Sequence, residues 1–183
     1  EVAGLSTSGT ATTNTVINTG TLTVNVASSS TYSGTLTGTL ALIKSGAGTL
    51  ILLQNNALSN FDLAGGEVRI STVNGLGSAT SVTVDSAEAL EFNGSLTFNG
   101  ATTLQSIVMR GGTLTGVSGT TTLDIPITLG NFSNLNVSGA GNLVLPRSIG
   151  NGNPSVAANA LNYYGYRRDG GDAVTLRCAR AVR

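Results

Sequence analysis

The chain has 183 residues with no histidine, only 10% charged side chains, and nine cations against nine anions. The zero net charge excludes a globally basic nucleic-acid binder, and the 40% hydrophobic content excludes a disordered chain, because there is enough apolar surface to bury. Without imidazole, His-based metal sites and Ser-His or Cys-His nucleophiles are excluded as well.

Solubility has to come from 26 Thr and 17 Asn, beside 25 Gly and a single lysine, Lys44. Thr is β-branched and suits a pleated surface, whereas Asn and Gly tolerate the backbone angles of tight turns. The expectation is many short strands joined by polar turns. A lone Cys178 cannot make an internal disulfide, which agrees with bacterial surface export better than with a disulfide-built scaffold. No run of eighteen apolar residues predicts a transmembrane helix. The opening Glu1-Val2-Ala3-Gly4 has neither a basic nor an apolar leader region, as expected of a mature or excised segment.

In chain order, the first alternating strand is Leu22-Thr23-Val24-Asn25-Val26. Residues 31–53 contain Tyr32-Ser33-Gly34, then Leu42-Ile43-Lys44-Ser45-Gly46-Ala47-Gly48-Thr49-Leu50-Ile51-Leu52. Gly65-Gly66 and Asn74-Gly75 mark turns. Short in-out-in runs follow at Val82–Val84, Leu90–Phe92, Leu96–Phe98, Leu123–Ile125, Ile127–Leu129, Leu135–Val137 and Leu143–Leu145. They are separated by Asn93-Gly94, Asn99-Gly100, Gly111-Gly112 and Gly139-Ala140-Gly141. Three such strands plus turns make a coil of roughly 20–25 residues, the scale of a solenoid repeat. The expectation is an all-β fold, a right-handed parallel β-helix (β-solenoid) with short three-sided coils, about seven of them within residues 1–146. The alternative is an Ig-like or pilin-like β-sandwich, which shares the alternation.

The Tyr-Ser-Gly element followed by Lys-x-Gly-x-Gly-Thr-Leu-x-Leu resembles the autotransporter-associated β-strand repeat. Gly65-Gly66 and Gly111-Gly112 look like its later Gly-Gly portion. Gly139-Ala140-Gly141-Asn142-Leu143-Val144-Leu145 looks like a Lys-less copy of its Gly-x-Gly-x-Leu-x-Leu step. The resemblance implies a right-handed parallel β-helix passenger, exported to the bacterial outer surface by a C-terminal β-barrel. In this motif Gly46 and Gly48 allow a corner where a Cβ would collide with the adjacent coil, Leu50 and Leu52 point inward, and Lys44 is expected as a solvated edge charge.

Residues 147–183 form a second region, a loop and an Arg/Tyr-rich tail. Up to Pro146 three cations face seven anions, a balance of −4; from Arg147 onward six Arg face two Asp, a balance of +4. Tyr163, Tyr164, Tyr166, Arg167 and Arg168 are candidates for glycan or subunit contact. The same tail also reads as a cap or donated strand, or as a repeat in a shifted reading frame.

Other chemistry is weakly signalled. Asp85, Glu88, Glu91 and Asp124 with Arg110 are the carboxylate set that a polysaccharide-cleaving β-helix enzyme would need, but Glu88 and Glu91 are expected at exposed turn positions. Asp169-Gly170-Gly171-Asp172 offers too few oxygens for calcium, Gly46-Ala47-Gly48 is no phosphate loop, and Cys178 between Arg177 and Arg180 is a tail thiol without a role. The sequons at Asn93, Asn131 and Asn136 are expected by chance in so Asn-rich a chain. No catalytic, cofactor or metal residues are assigned, and no enzyme activity or nucleic-acid partner is expected. The expectation is a secreted or cell-surface structural or adhesive solenoid that self-associates head-to-tail into a filament or binds surface polymers and glycans. The alternatives are the polysaccharide-cleaving enzyme and a glycan-binding module.

Overall fold

The computed structural model describes residues 1–6, 14–130, 134–138, 140–146, 149–151 and 174–177. These residues form strands and turns and no helix, so none is long and apolar enough to cross a membrane. The first coil is β1 (Thr15–Asn18), β2 (Thr21–Asn25) and β3 (Ser30–Tyr32). The second is β4 (Thr35–Gly38), β5 (Ala41–Ser45) and β6 (Thr49–Leu52). The third replaces its first strand by residues 56–58 and continues as β7 (Asn60–Leu63) and β8 (Gly66–Ile70). Then come β9 (Ser81–Asp85), β10 (Glu88–Asn93) and β11 (Thr97–Phe98); β12 (Ser106–Arg110), β13 (Thr113–Ser118) and β14 (Thr120–Leu123); and β15 (Ile127–Leu129), β16 (Asn134–Ser138) and β17 (Asn142–Val144). Finally β18 (Ile149–Asn151) pairs in parallel with β15, and β19 (Val174–Arg177) lies antiparallel on β16.

From β1 to β18 every strand pair is parallel. A sandwich built from antiparallel hairpins is therefore excluded, and the described residues form a β-solenoid of about six stacked coils, against about seven expected. Register partners lie 18 residues apart at the shortest (Thr49↔Glu67) and 25 at the longest (Ser81↔Ser106). One side is a continuous spine, β3-β6-β8-β10-β13-β16, with β19 at its end. A second side is β2-β5-β7 followed by β9-β12-β15-β18, with β7 lying against β9; β1-β4 and β11-β14-β17 are further short sheets.

Alternation turns one residue in two inward. Along the spine Leu50, Val68, Leu90 and Leu114 are register neighbours and fully buried, as are Leu52, Ile70 and Phe92 in the next row. The expected inward Leu50 and Leu52 flank a half-buried Ile51. Phe92 meets Phe98 edge-on at 5.5 Å between ring centroids, an orientation that the ring quadrupole favours. On the opposite surface, hydroxyl and amide side chains bond along the stack. Thr15 and Thr35 hydroxyls are 3.0 Å apart, and Asn93 links Ser71 (3.2 Å) to Ser118 (2.9 Å) across three coils.

The Tyr-Ser-Gly element has a geometric reason. Tyr32 points inward and its hydroxyl donates to the carbonyls of Asn14 (3.2 Å) and Thr35 (3.3 Å). A Cβ at Gly34 would stand 2.7 Å from that hydroxyl and overlap the Asn14 carbonyl. Glycine there leaves room for the phenol to reach backbone acceptors at the corner.

Candidate functional site

The chemistry-bearing side chains gather at the corner where the chain turns onto the spine. In register, that corner carries Gly48, Gly66, Glu88 and Gly112 in successive coils, each just before the spine residues Thr49, Glu67, Ala89 and Thr113. Coils can approach this closely only because most of the column lacks Cβ atoms. At Gly48 a Cβ would overlap the backbone of Ser28 in the coil before.

Lys44 is the main correction to the sequence reading. It is 0% exposed, not a solvated edge charge. It shares the inward parity of Leu42 on β5, and its register neighbours are Val24 and Leu63. The stem fills a place that an aliphatic would otherwise take, and the ammonium donates to the carbonyls of Gly46 and Gly65, both at 2.7 Å. Burial pulls its pKa below the ordinary lysine value, while Glu67 and Glu88 pull it back up.

Glu88 and Glu91 are not exposed turn residues either; they are 9% and 6% exposed. Glu88 stands at the corner with inward parity, and its Oε2 accepts from the backbone N–H of Asp85 at 2.7 Å. Burial pushes its carboxyl above the ordinary value and Asp85 and Asp62 push the same way, against that N–H and Lys44. Glu91 points outward from β10, a central strand, so neighbouring rows cover it. Arg69 on β8 donates to it at 2.8 Å. Beside it Thr49 and Glu67 are bonded at 2.5 Å.

Glu67, Ala87, Glu88, Ala89, Glu91, Thr113 and Thr115 line a shallow, open hollow of about 420 Å³ on this side of the spine. Of the proposed carboxylate set, the structure brings together Glu88 and Glu91 here and keeps Asp85 at the edge through its N–H. Arg110 is the register partner of Asp85 on β12, outside the hollow lining. Asp124 follows β14, on another side. Glu67 and the two threonines were not singled out from sequence. Their signal was the register itself, Glu67, Ala89 and Thr113 in one row, obscured by unequal coil lengths.

No protein-family model, curated protein or solved structure matches the chain.

The two Gly-x-Gly steps occupy different corners. Gly46 and Gly48 lead onto the spine strand β6, whereas Gly141 leads off the spine onto β17. Tyr163, Tyr164, Tyr166, Arg167, Arg168, Asp169, Asp172, Cys178 and Asn131 lie outside the described residues. Among the described residues no group of three or more acidic or thiol side chains is placed to hold a metal ion.

Proposed function

We propose that the chain is a structural or adhesive solenoid of the autotransporter-passenger type, working at the bacterial outer surface or in the extracellular space. The observation that supports this most is the in-register stack of six parallel coils, with aliphatic side chains inside and hydroxyl and amide side chains bonded from coil to coil outside. At about 4.8 Å per coil such a stack is a stiff spacer, and its neutral polar coat suits exposure to water without relying on surface charge. The −4 and +4 regions favour head-to-tail over head-to-head contact between copies. Fractionation of the producing cells tests the location. The chain is expected in the outer-surface or extracellular fraction and open to added protease on intact cells; recovery from the cytoplasm alone would sink the reading. Self-association should weaken with added salt in sedimentation.

A second reading, polysaccharide cleavage, is favoured by one observation. Glu88, whose burial favours the protonated acid, shares a hollow with Glu67 and the Arg69-paired Glu91. A buried carboxyl beside one that is ion-paired to an arginine is the kind of arrangement a general acid and its partner need. Cleavage of acidic or neutral glycans that disappears in Glu88→Gln would support it, and equal cleavage by that variant would remove it.

A further inference from the structure

The aliphatic interior leaves one problem unsolved. Inward rows are mostly Leu, Val, Ile and Phe, broken at few places by polar side chains such as Lys44, Asn56 and Thr121. A slip of one coil on the next by two residues therefore keeps every side chain on its proper face and exchanges one aliphatic for another. Coil lengths that range from 18 to 25 residues show that the corners tolerate such shifts. Residues 53–59 carry no strand ladder; they reach the second coil through single bonds, Ala57 N–H to the Leu36 carbonyl, Ser59 N–H to the Leu40 carbonyl and Leu36 N–H to Asn56 Oδ1, so β5 and β7 need a register determinant of their own.

We propose that Lys44 is a register pin, a buried cation whose ammonium permits only one alignment of the third coil on the second. Its two acceptors belong to different coils, Gly46 in the corner after β5 and Gly65 in the corner after β7. A Cβ at Gly66 would come within 2.6 Å of the ammonium. The space that receives the charge thus exists only where a glycine of the third coil stands opposite. After a two-residue slip the ammonium would face the stem of a neighbouring side chain, and a buried charge without acceptors is costly. The charge is buried at a cost in desolvation, which its two carbonyl bonds offset in this alignment alone. The charged groups that act on it are both acidic, Glu67 on β8 and Glu88 on β10, and Asp62 and Asp85 in turn act on Glu88. Tyr32 repeats the device one coil earlier, its hydroxyl bonding carbonyls of Asn14 and Thr35 over a glycine-made gap. A buried polar group that selects alignment without adding stability has a parallel in the single Asn of coiled-coil seams.

Disulfide trapping in the full chain tests this, on a Cys178→Ser background. Ile43 and Asp62 are register partners on the outer face of β5 and β7. Cysteines there sit on adjacent strands about 4.8 Å apart, within bridging range, whereas Ile43→Cys with Asn60→Cys is roughly 8 Å apart unless the coil slips by two. With Lys44 present, the 43/62 bridge should exceed the 43/60 bridge by at least about tenfold. In Lys44→Met the two should come within about threefold of each other, and the variant should melt no lower than the parent. Equal bridging at both pairs with Lys44 in place overturns the proposal. So does exclusive 43/62 bridging in Lys44→Met, and so does a Lys44→Met chain that melts lower or does not fold, since the lysine would then be supplying stability.

Discussion

The corner that leads onto the spine is built twice over in different materials. In the third and fifth coils it is Gly65-Gly66 and Gly111-Gly112; in the fourth, between them, it is Ala87-Glu88. The backbone turns at the same place in each but by different angles: at the register position of Ala87 the flanking coils have Gly65, with φ of 156°, and Gly111. Gly66 has φ of 67° and Gly111 of 101°, while Ala87, the one non-glycine with positive φ among the described residues, has 68°. The glycine corners let neighbouring coils close on one another. The alanine–glutamate corner instead carries a buried acid and opens on the hollow. Position in the stack fixes where the chain turns, and the residue at that position decides whether the corner is sealed or chemical.

The largest effect should come from filling a sealed corner. Gly48→Ala places a Cβ into the Ser28 backbone, with no flexible side chain to move aside, so it should destabilise by roughly 3 kcal/mol or more. Gly100→Ala, where no atom lies within 4 Å and φ is not in the left-handed region, should be neutral or slightly stabilising. Urea midpoints of the two variants measure the contrast, and similar losses in both would show that the corner is not closely packed.

The chemical corner should reveal itself through pH. Glu88 has its folded pKa raised above 4.5 by burial, so the folded form takes up a proton before the unfolded form does. Its contribution to stability therefore grows as pH falls through the folded pKa and levels off near 4.5. Glu88→Gln keeps an acceptor for the Asp85 N–H and removes the charge. It should be more stable than the parent at neutral pH, and the gap should narrow as pH falls toward 4.5. Other carboxylates titrate alike in both proteins and cancel in the difference. On the alkaline side the signs oppose. Lys44, lowered below 10.5, adds stability as pH rises toward that value, whereas Tyr32, raised above 10.0, withdraws it as pH rises further. A pH-independent gap would show that Glu88 is no more buried than an ordinary surface acid.

How much of this was legible follows from where each determinant lies in the chain. The aliphatic rows were legible because alternation is local: Leu50 and Leu52, or Val82 and Val84, declare their face within three residues. Gly46 and Gly48 declared a corner. Lys44 did not declare its burial, although its parity with Leu42 placed it inward. Its acceptor on the third coil, Gly65, is 21 residues away and comes within reach only after the coils have stacked. Glu91 is covered for the same kind of reason, by an arginine 22 residues away. The run Leu123-Asp124-Ile125 also departs from its expectation. The strand stops at Leu123, one residue before Asp124 gives a last N–H to the Phe98 carbonyl at 2.8 Å, yet Ile125 still turns inward. Local period reads the interior. Unequal coil lengths hide which corners meet.

The smallest effect tests whether the two corner types are interchangeable. An L-residue in the left-handed region costs about 1–2 kcal/mol, and at 68° Ala87 sits in the part of that region that a Cβ tolerates. Replacing it with glycine removes the strain and adds unfolded-state freedom worth roughly 0.5–1 kcal/mol. Ala87→Gly should therefore stabilise by only about 0.5 kcal/mol. The reverse exchange is not its mirror image. At Gly111 the nearest atom to an added Cβ is Ser86 Cβ at 3.7 Å, an ordinary contact, but φ of 101° lies beyond the left-handed well. Gly111→Ala should cost about 1–3 kcal/mol from conformation alone. A small gain at 87 with a larger loss at 111 would mean that the fourth coil's corner has settled into the one variant of this turn that a side chain can enter. Equal and opposite changes would mean that the corners differ in residue and not in shape, and the open hollow beside Glu88 would then need another cause.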